Sequence, residues 1–191
     1  SVLSGNIFAE DLLTINMRDA MWGEQGSEGW YYYGYENGEY FLLDYDEDGG
    51  RFLMDGYQYL EIYSNGGHPT TDPAVSTVRA YEVAFAGEVE ITWEIAPTNG
   101  SYYVNDGVSI NVLKNTEKIF PQDEEVQIVN NPVGKPYPSG GDSDFIETPE
   151  VFSFTAEVLE NDILYFHLYN NLTANYDRTK YDITIKYLRV D

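Results

Sequence analysis

Hydrophobic and polar residues alternate with a period of two along much of the chain. In VEITWEI (89–95) the hydrophobic side chains fall on one face, and the Glu and Thr side chains fall on the other. The same alternation recurs in VSINVLK (108–114), VFSFTAEV (151–158) and YDITIKYL (181–188). Because successive side chains of a β-strand point to opposite faces, each stretch predicts a strand that is buried on one side only.

Short clusters of Gly, Asn and Asp separate the predicted strands, as in ENGE (36–39), DEDGG (46–50) and NGG (65–67). Many short strands separated by such turns are typical of a β-sandwich. We therefore predict an all-β fold, an antiparallel β-sandwich of jelly-roll type. No internal repeat or domain boundary divides the chain, so residues 1–191 are expected to form a single domain with a long loop, rich in Pro and Gly, at 130–150.

The charge of the protein limits its partners. The 191 residues include 33 Asp and Glu against 10 Lys and Arg, which gives a formal net charge of −23 at pH 7. Such a surface repels nucleic acid and anionic lipid, and no hydrophobic run reaches the length of a membrane span. Cysteine is absent, which excludes disulfides and thiol chemistry. We expect a monomer with a neutral ligand, no nucleic-acid partner and no membrane insertion.

Aromatic residues are unusually abundant, with 18 Tyr, 9 Phe and 3 Trp. One core of this size does not accommodate all of them, so some rings are expected at the surface, where aromatic patches mark contact with a ligand or partner. In YQYLEIYS (57–64), Leu60 and Ile62 suit the core, and Glu61 marks the opposite face as exposed. Three tyrosines share the exposed face in this prediction: Tyr57, Tyr59 and Tyr63.

The segment GWYYYGYENGEY (29–40) carries two further aromatic stripes. Trp30 and Tyr32 form one of them. The other stripe consists of Tyr31, Tyr33 and Tyr35. One stripe is expected in the core and the other at the surface, and the pattern leaves open which is which.

Three more aromatic features follow from the same period. In DILYFHLYNN (162–171) one face carries Tyr165, His167 and Tyr169, and the other suits the core. Trp93 lies within the hydrophobic face of VEITWEI, so we expect it in the core. Trp22 lies among turn residues in DAMWGEQGSEGW (19–30), so we expect it at the surface.

A row of aromatic rings across a sheet suits a neutral sugar chain. Sugar rings carry apolar C–H faces that stack on Tyr or Trp, while their hydroxyls form hydrogen bonds with polar side chains at the edges. The alternative is that these tyrosines are ordinary strand residues, favoured by β-propensity and cross-strand pairing. The candidate carbohydrate-binding residues are Tyr57, Tyr59, Tyr63, Tyr31, Tyr33, Trp22 and Trp30.

The segment LLDYDEDGGRFLMDG (42–56) fits two structures. Its aspartates and Gly49 have the spacing of a calcium loop of the EF-hand type, which needs oxygen ligands at positions 1, 3, 5 and 12 and Gly at 6. Its flanks have the pattern of strands and Phe52 occupies position 9, so a hairpin turn is our first interpretation and a structural Ca²⁺ site the second. The candidate metal ligands are Asp44, Asp46, Asp48 and Asp55.

Catalytic motifs are lacking in the sequence. The chain has two His residues and no Cys, and it contains no GxSxG elbow, HExxH helix or phosphate-binding Gly loop. A lyase that acts on acidic sugars needs a basic cleft, and the chain has only 10 basic residues. No spacing singles out a carboxylate pair for glycoside hydrolysis. We therefore expect a protein that is not an enzyme.

Four segments together resemble the β-sandwich modules that are appended to secreted bacterial glycoside hydrolases. These segments are GWYYYGYENGEYFLLDY (29–45), VRAYEVAFAGEVEITW (78–93), NDGVSINVLKNTEKIFP (105–121) and LENDILYFHLYNNLTANYDRTKYDITIKYL (159–188). The resemblance implies a non-catalytic carbohydrate-binding module, often with a structural calcium, that is extracellular and joined to a catalytic domain of the same chain. It would tether that enzyme to a neutral polysaccharide of the xylan, mannan or β-glucan type.

Two other functions fit the same pattern of strands. One is a structural or adhesive module of a bacterial surface protein, without affinity for any glycan. The weaker one is a jelly-roll glycoside hydrolase or polysaccharide lyase. Both would use the same sandwich, so they differ from the carbohydrate-binding module in activity and not in fold.

Overall fold

Strands account for nearly all of the regular structure in the computed structural model, which describes residues 13–97, 107–129, 149–171 and 178–191. Two single-turn 3₁₀ helices, at Met17–Asp19 and Ser27–Gly29, are the exceptions. In chain order the strands are β1 (Thr14–Asn16), β2 (Trp30–Glu36), β3 (Glu39–Leu42), β4 (Asp44–Asp46), β5 (Arg51–Leu53), β6 (Glu61–Tyr63), β7 (Gly66–His68), β8 (Val75–Glu82), β9 (Gly87–Pro97), β10 (Val108–Lys114), β11 (Glu117–Phe120), β12 (Gln127–Val129), β13 (Glu150–Val158), β14 (Ile163–Asn170) and β15 (Thr179–Val190).

The strands form two antiparallel sheets that pack face to face. The eight-stranded sheet has the order β13-β9-β15-β7-β6-β5-β4, with β1 paired to β15. The seven-stranded sheet has the order β11-β10-β14-β8-β2-β3, with β12 paired to β10. From β8 onward the chain crosses repeatedly between the two sheets, as in a jelly roll. The predicted antiparallel β-sandwich is therefore confirmed. Most of the predicted loop at 130–150 lies outside the described residues.

The core lies between the sheets and is built from the inward faces that the alternation predicts. Trp93 of β9 is 1% exposed, and its ring meets the ring of Phe166 from β14 edge-on, at 5.5 Å between centroids. Trp30 of β2 is fully buried and lies 6.2 Å from the same Phe166 ring. These three aromatic side chains connect the two sheets, because Trp93 comes from one sheet and Trp30 and Phe166 come from the other.

A buried arginine lies in the aromatic end of the core. Arg79 of β8 is 1% exposed, and its guanidinium carbon lies 5.2 Å from the ring centroids of both Tyr32 and Tyr181. One of its Nη atoms donates a hydrogen bond to the carbonyl of Tyr63, at 2.6 Å. No carboxylate of the described chain forms an ion pair with it. Cation–π attraction and the carbonyl therefore offset the desolvation of this charge.

The eight-stranded sheet contains a very close backbone contact between β7 and β15. Gly66 of β7 lies so near to β15 that a Cβ atom added to it would be 2.0 Å from the carbonyl oxygen of Thr179. At Gly67, the next residue, the nearest atom would be the carbonyl oxygen of Glu61, at 3.2 Å. Strand β7 therefore fits between β6 and β15 only because position 66 has no side chain.

The predicted strand over 57–64 is wrong in its first half. Only Glu61–Tyr63 forms a strand, and Tyr59 has a φ of 68°. That left-handed conformation interrupts the extended backbone, so Tyr57 and Tyr59 do not continue the alternation of β6. Leu60 and Ile62 are buried, as predicted.

Candidate functional site

The outer face of the seven-stranded sheet carries aromatic side chains from three strands. In β2, Trp30 and Tyr32 point into the core, so the stripe with Tyr31, Tyr33 and Tyr35 is the outer one. The alternation of β14 places three more side chains on the same face: Tyr165, His167 and Tyr169. Strand β3 adds Tyr40, which lies opposite Tyr35 in the β2–β3 pair. We call these six tyrosines, together with His167, the tyrosine face.

Strand β8 makes this arrangement possible, because it lies between β2 and β14 and carries small side chains outward. Val78 lies between Tyr33 on one side and His167 on the other. Ala80 lies between Tyr31 and Tyr165 in the same way. The rings from the flanking strands extend over these small residues, and Val78 and Ala80 are fully covered as a result.

The rings form one connected platform. Tyr40 and Tyr165 stack with their centroids 4.1 Å apart and their planes at 15°, although two strands separate β3 from β14. Tyr33 contacts the Tyr165 ring edge-on at 6.2 Å and stacks on Tyr31 at 6.1 Å. All six tyrosines are half-buried, so each keeps part of its surface exposed. Mutual stacking holds the rings in a fixed layer on the sheet.

His167 is fully buried under this layer and bonds to hydroxyl groups from three strands. Its Nε2 lies 3.0 Å from the Tyr40 hydroxyl. Its Nδ1 lies 2.9 Å from the Ser76 hydroxyl and 3.0 Å from the Tyr169 hydroxyl. Burial lowers the pKa of His167 to about 3, so the imidazole is neutral at physiological pH. A neutral, buried imidazole of this kind orients its neighbours and is not placed for acid–base chemistry on a bound molecule.

Four tyrosines of the tyrosine face have raised pKa values and carry no charge at physiological pH. Burial raises the pKa values of Tyr33, Tyr40 and Tyr165 above the usual range. The pKa of Tyr31 is raised first by its hydrogen bond to Glu82, to which its hydroxyl donates at 3.1 Å. These four hydroxyls therefore stay protonated, and those of Tyr31 and Tyr40 already form hydrogen bonds with Glu82 and His167. Apolar ring surface with neutral hydroxyls at its edges suits a ligand that is itself apolar on one side and polar on the other.

The sequence-predicted carbohydrate-binding residues divide between this face and other places. Tyr31 and Tyr33 belong to the tyrosine face. Trp30 does not, because its ring is fully buried in the core; the prediction that it stacks on a ligand is wrong. The alternation alone does not identify the buried stripe of β2, because both stripes of this strand are aromatic.

Tyr57, Tyr59 and Tyr63 do not form the predicted row. The Tyr57 ring stacks on Phe41. The Tyr59 ring stacks on His68, with centroids 4.7 Å apart. Tyr63 lies under the guanidinium of Arg178 at 4.4 Å, and burial raises its pKa to about 12. The left-handed conformation at Tyr59 separates the three rings, which face different neighbours.

Trp22 packs against the core side of β2, away from the tyrosine face. Its ring is half-buried and meets Tyr32 and Phe52 edge-on, and its indole N–H donates to the carbonyl of Gly50 at 3.1 Å. It is therefore less exposed than we predict from its turn-rich sequence. It also lines a cavity of about 200 Å³, whose other lining residues are Met17, Arg18, Ala20, Ser64 and Asn65.

The aspartate-rich segment forms the predicted hairpin. Strands β4 and β5 pair with Asp46 opposite Arg51, and the Gly50 N–H donates to the Asp46 carbonyl at 2.8 Å. Arg51 also contacts the carboxylates of Asp46 and Glu61, at 3.6 and 3.1 Å. The described residues contain no group of three or more His, Cys, Asp or Glu that could hold a metal ion. The structure thus does not bring together the predicted ligands Asp44, Asp46, Asp48 and Asp55.

Tyr35, Tyr40, Tyr165, His167 and Tyr169 are missing from the residues that we predict from the sequence to bind a ligand. The alternation does place Tyr165, His167 and Tyr169 on one face of β14. The contact between Tyr40 and His167, however, spans 127 positions in the sequence. The period of each strand therefore shows which residues share a face, and the order of strands in the sheet determines which faces combine.

Comparisons with known proteins show similarity at the level of solved structures only. Neither the protein-family models nor the curated proteins gave a match. The crystal structure of the Podospora anserina GH26-CBM35 β-(1,4)-mannanase is 13% identical, with a TM-score of 0.35, over 86% of this chain and 29% of that chain. The crystal structure of pika GITRL is 9% identical, with a TM-score of 0.31, over 83% of this chain and 96% of that chain.

These two similarities carry no argument about function, because both identities and both TM-scores are low. This chain also spans less than a third of the mannanase chain. The β-sandwich follows from the strands and their pairing. Within the described ranges, no helix has the length and hydrophobicity needed to cross a membrane.

Proposed function

We propose that the tyrosine face binds a neutral polysaccharide, and that the protein is a non-catalytic carbohydrate-binding module. The observation that carries this proposal is the connected ring platform from β2, β3 and β14, which is half-exposed on the outside of the sheet. Apolar sugar faces stack on such rings, and sugar hydroxyls bond to the protonated tyrosine hydroxyls.

The charge of the protein limits which class of glycan it can bind. A formal net charge of −23 repels acidic glycans, and the polar group bonded to the platform at Tyr31 is a carboxylate, Glu82. Neutral polysaccharides of the xylan, mannan or β-glucan type therefore remain as the candidate ligands. The affinity is expected in the micromolar to millimolar range, because each sugar buries little area and its hydroxyls must leave water.

As part of the same proposal, the module belongs to a secreted bacterial enzyme. It would hold a catalytic domain of the parent chain close to its polysaccharide substrate. Binding to the platform involves no chemical step, and His167, the histidine of the tyrosine face, is buried below the rings. Raising the local substrate concentration is the advantage that such tethering gives.

Affinity electrophoresis tests the proposal on soluble xylan, mannan, β-glucan and xyloglucan, with pectin as the acidic comparison. We expect retardation of the wild-type protein by one of the neutral glycans and none by pectin. Replacement of Tyr33 or Tyr165 by Ala should lower the affinity for that glycan at least tenfold, which corresponds to about 1.4 kcal/mol. Each ring supplies exposed stacking surface that alanine lacks.

Two further variants locate the binding surface. Phe85 is 49% exposed in the loop before β9, outside the tyrosine face, so Phe85→Ala controls for the loss of a surface ring and should bind normally. Tyr59→Ala examines the surface that we predict from the sequence. A larger loss for Tyr59→Ala than for Tyr33→Ala would move the binding surface to the loop before β6. Absence of retardation by every glycan would contradict the proposal and favour a structural or adhesive module.

A further inference from the structure

His167 lies at the centre of a hydrogen-bonded group that the proposed binding surface does not itself expose. The imidazole is 0% exposed, although its strand position directs it to the outer face of the sheet. It is covered because Tyr35 and Tyr40 lie over it, at 4.9 and 5.6 Å between ring centroids, and Tyr169 stacks beside it at 5.5 Å. A ligand on the platform therefore contacts the tyrosines and not the imidazole.

Neighbouring hydroxyl groups form hydrogen bonds with both nitrogens of the His167 imidazole. A neutral imidazole has one N–H donor and one acceptor nitrogen. In either tautomer the Tyr40 hydroxyl at Nε2 is engaged, as acceptor or as donor, at 3.0 Å. Nδ1 is approached by Ser76 and Tyr169. The imidazole thus links β3, β8 and β14 through side chains, in addition to the backbone pairing of the sheet.

Tyr40 is the tyrosine whose ring position depends most on the hydrogen bond to His167. It belongs to β3, a four-residue strand at the edge of the sheet. Its ring stacks on the ring of Tyr165 from β14, although β2 and β8 lie between the two strands. A side chain on a short edge strand has rotamer freedom that must be lost for the ring to stay in the platform. A buried hydrogen bond at its hydroxyl removes much of that freedom before a ligand arrives.

We propose that His167 is a positioning residue, which fixes the Tyr40 ring through its hydroxyl and so pre-organises the platform for a saccharide. This inference rests on the proposed function of the tyrosine face. His167 acts through Tyr40 and does not touch the ligand. Ser76 and Tyr169 complete the group by holding the other ring nitrogen.

A double-mutant cycle tests the inference on the full chain. Tyr40→Phe keeps the stacking ring and removes its hydroxyl, while His167→Phe keeps an aromatic ring and removes all three hydrogen bonds. We expect each variant to bind the glycan that retards the wild-type protein about fivefold more weakly. We expect the double variant to be no weaker than either single one, because both changes break the same bond. His167→Gln, which offers a donor and an acceptor, should recover part of the affinity.

Tyr187→Phe provides the matched control. It also removes one tyrosine hydroxyl, that of the buried Tyr187, which donates to the Phe85 carbonyl at 3.2 Å, but it does so in the eight-stranded sheet. Its affinity should equal that of the wild-type protein. An NMR cross-peak between the aromatic rings at positions 40 and 165 should be present in the wild-type protein and weakened in Tyr40→Phe and His167→Phe.

The outcomes separate the two proposals. Wild-type protein that binds no glycan would overturn the proposed function and this inference with it. Binding by the wild-type protein with equal affinity for Tyr40→Phe would overturn the positioning role alone, and so would fully additive losses in the cycle. If His167→Phe does not fold, Tyr40→Phe still decides, because it removes only one hydroxyl from a half-buried side chain.

Discussion

A shift from pH 7.5 to pH 4 is expected to remove about 3 kcal/mol of the free energy of unfolding through His167 alone. Burial lowers the pKa of His167 to about 3 in the folded protein, whereas an imidazole in the unfolded chain titrates near 6.5. Between these two values the unfolded chain binds more protons than the folded one. Stability due to this group is therefore complete above about pH 6.5 and falls as the pH decreases toward 3.

Urea unfolding of the wild-type protein and of His167→Gln, at several pH values between 7.5 and 4, measures this contribution. The many carboxylates titrate in both proteins, so the difference between the two free energies isolates the imidazole. His68 also has a pKa that burial lowers, and it contributes equally to both proteins. Parallel pH dependences of the two proteins between pH 6.5 and 4 would mean that His167 takes up a proton without difficulty and is not buried as described.

Gly66→Ala should reduce the free energy of unfolding by about 2–3 kcal/mol, as expected for overpacking in a closely packed region. The added Cβ would lie 2.0 Å from the Thr179 carbonyl oxygen, which is backbone and cannot rotate away. Strand β7 or β15 must shift, and their pairing at Gly66 and Gly67 is disturbed.

Gly67→Ala is the matched control for this substitution. It adds the same methyl group to the same strand, but its nearest neighbour would be 3.2 Å away. We expect a loss well below that of Gly66→Ala in chemical denaturation. Equal stabilities of the two variants would show that β7 has room to move and that the close approach is not a constraint on the fold.

The alternation of the long strands predicts much of this fold. The period of two in β9, β10, β14 and β15 separates core-facing from outward-facing side chains, because the direction of a strand side chain depends only on local geometry. Trp93, for example, is buried as its position in VEITWEI predicts. The sandwich follows from these strands and from the turns that separate them.

The same rule fails where the backbone leaves the extended conformation. At Tyr59 the φ of 68° interrupts the strand, and residue 59 is not a Gly or Asn that would indicate a left-handed position at that point of the sequence. The predicted row of Tyr57, Tyr59 and Tyr63 depends on an uninterrupted period and is lost with it. Local propensity does not predict this bend, because Tyr is an ordinary strand residue.

The tyrosine face shows a second limit of prediction from the sequence. The aromatic stripes of β2 and β14 are visible in the sequence. They form one surface only because β8 lies between these two strands and carries small side chains on its outer face. Arg79 illustrates the same point inside the core, because it shares the inward face of β8 with Thr77 and Tyr81 and is stabilised by rings from distant segments. Such contacts depend on the order of strands, which the period of a single strand does not contain.

Strand β13 has a consequence for how copies of the protein meet in solution. It is nine residues long and pairs with β9 along one edge, and no other described strand pairs with its second edge. A free strand edge is a template for another extended chain. The net charge of −23 opposes the approach of a second copy, but 1 M salt shortens the screening length to about 3 Å. Colloidal stability should therefore decrease as salt is added, whereas an association driven by ion pairs would weaken under the same conditions.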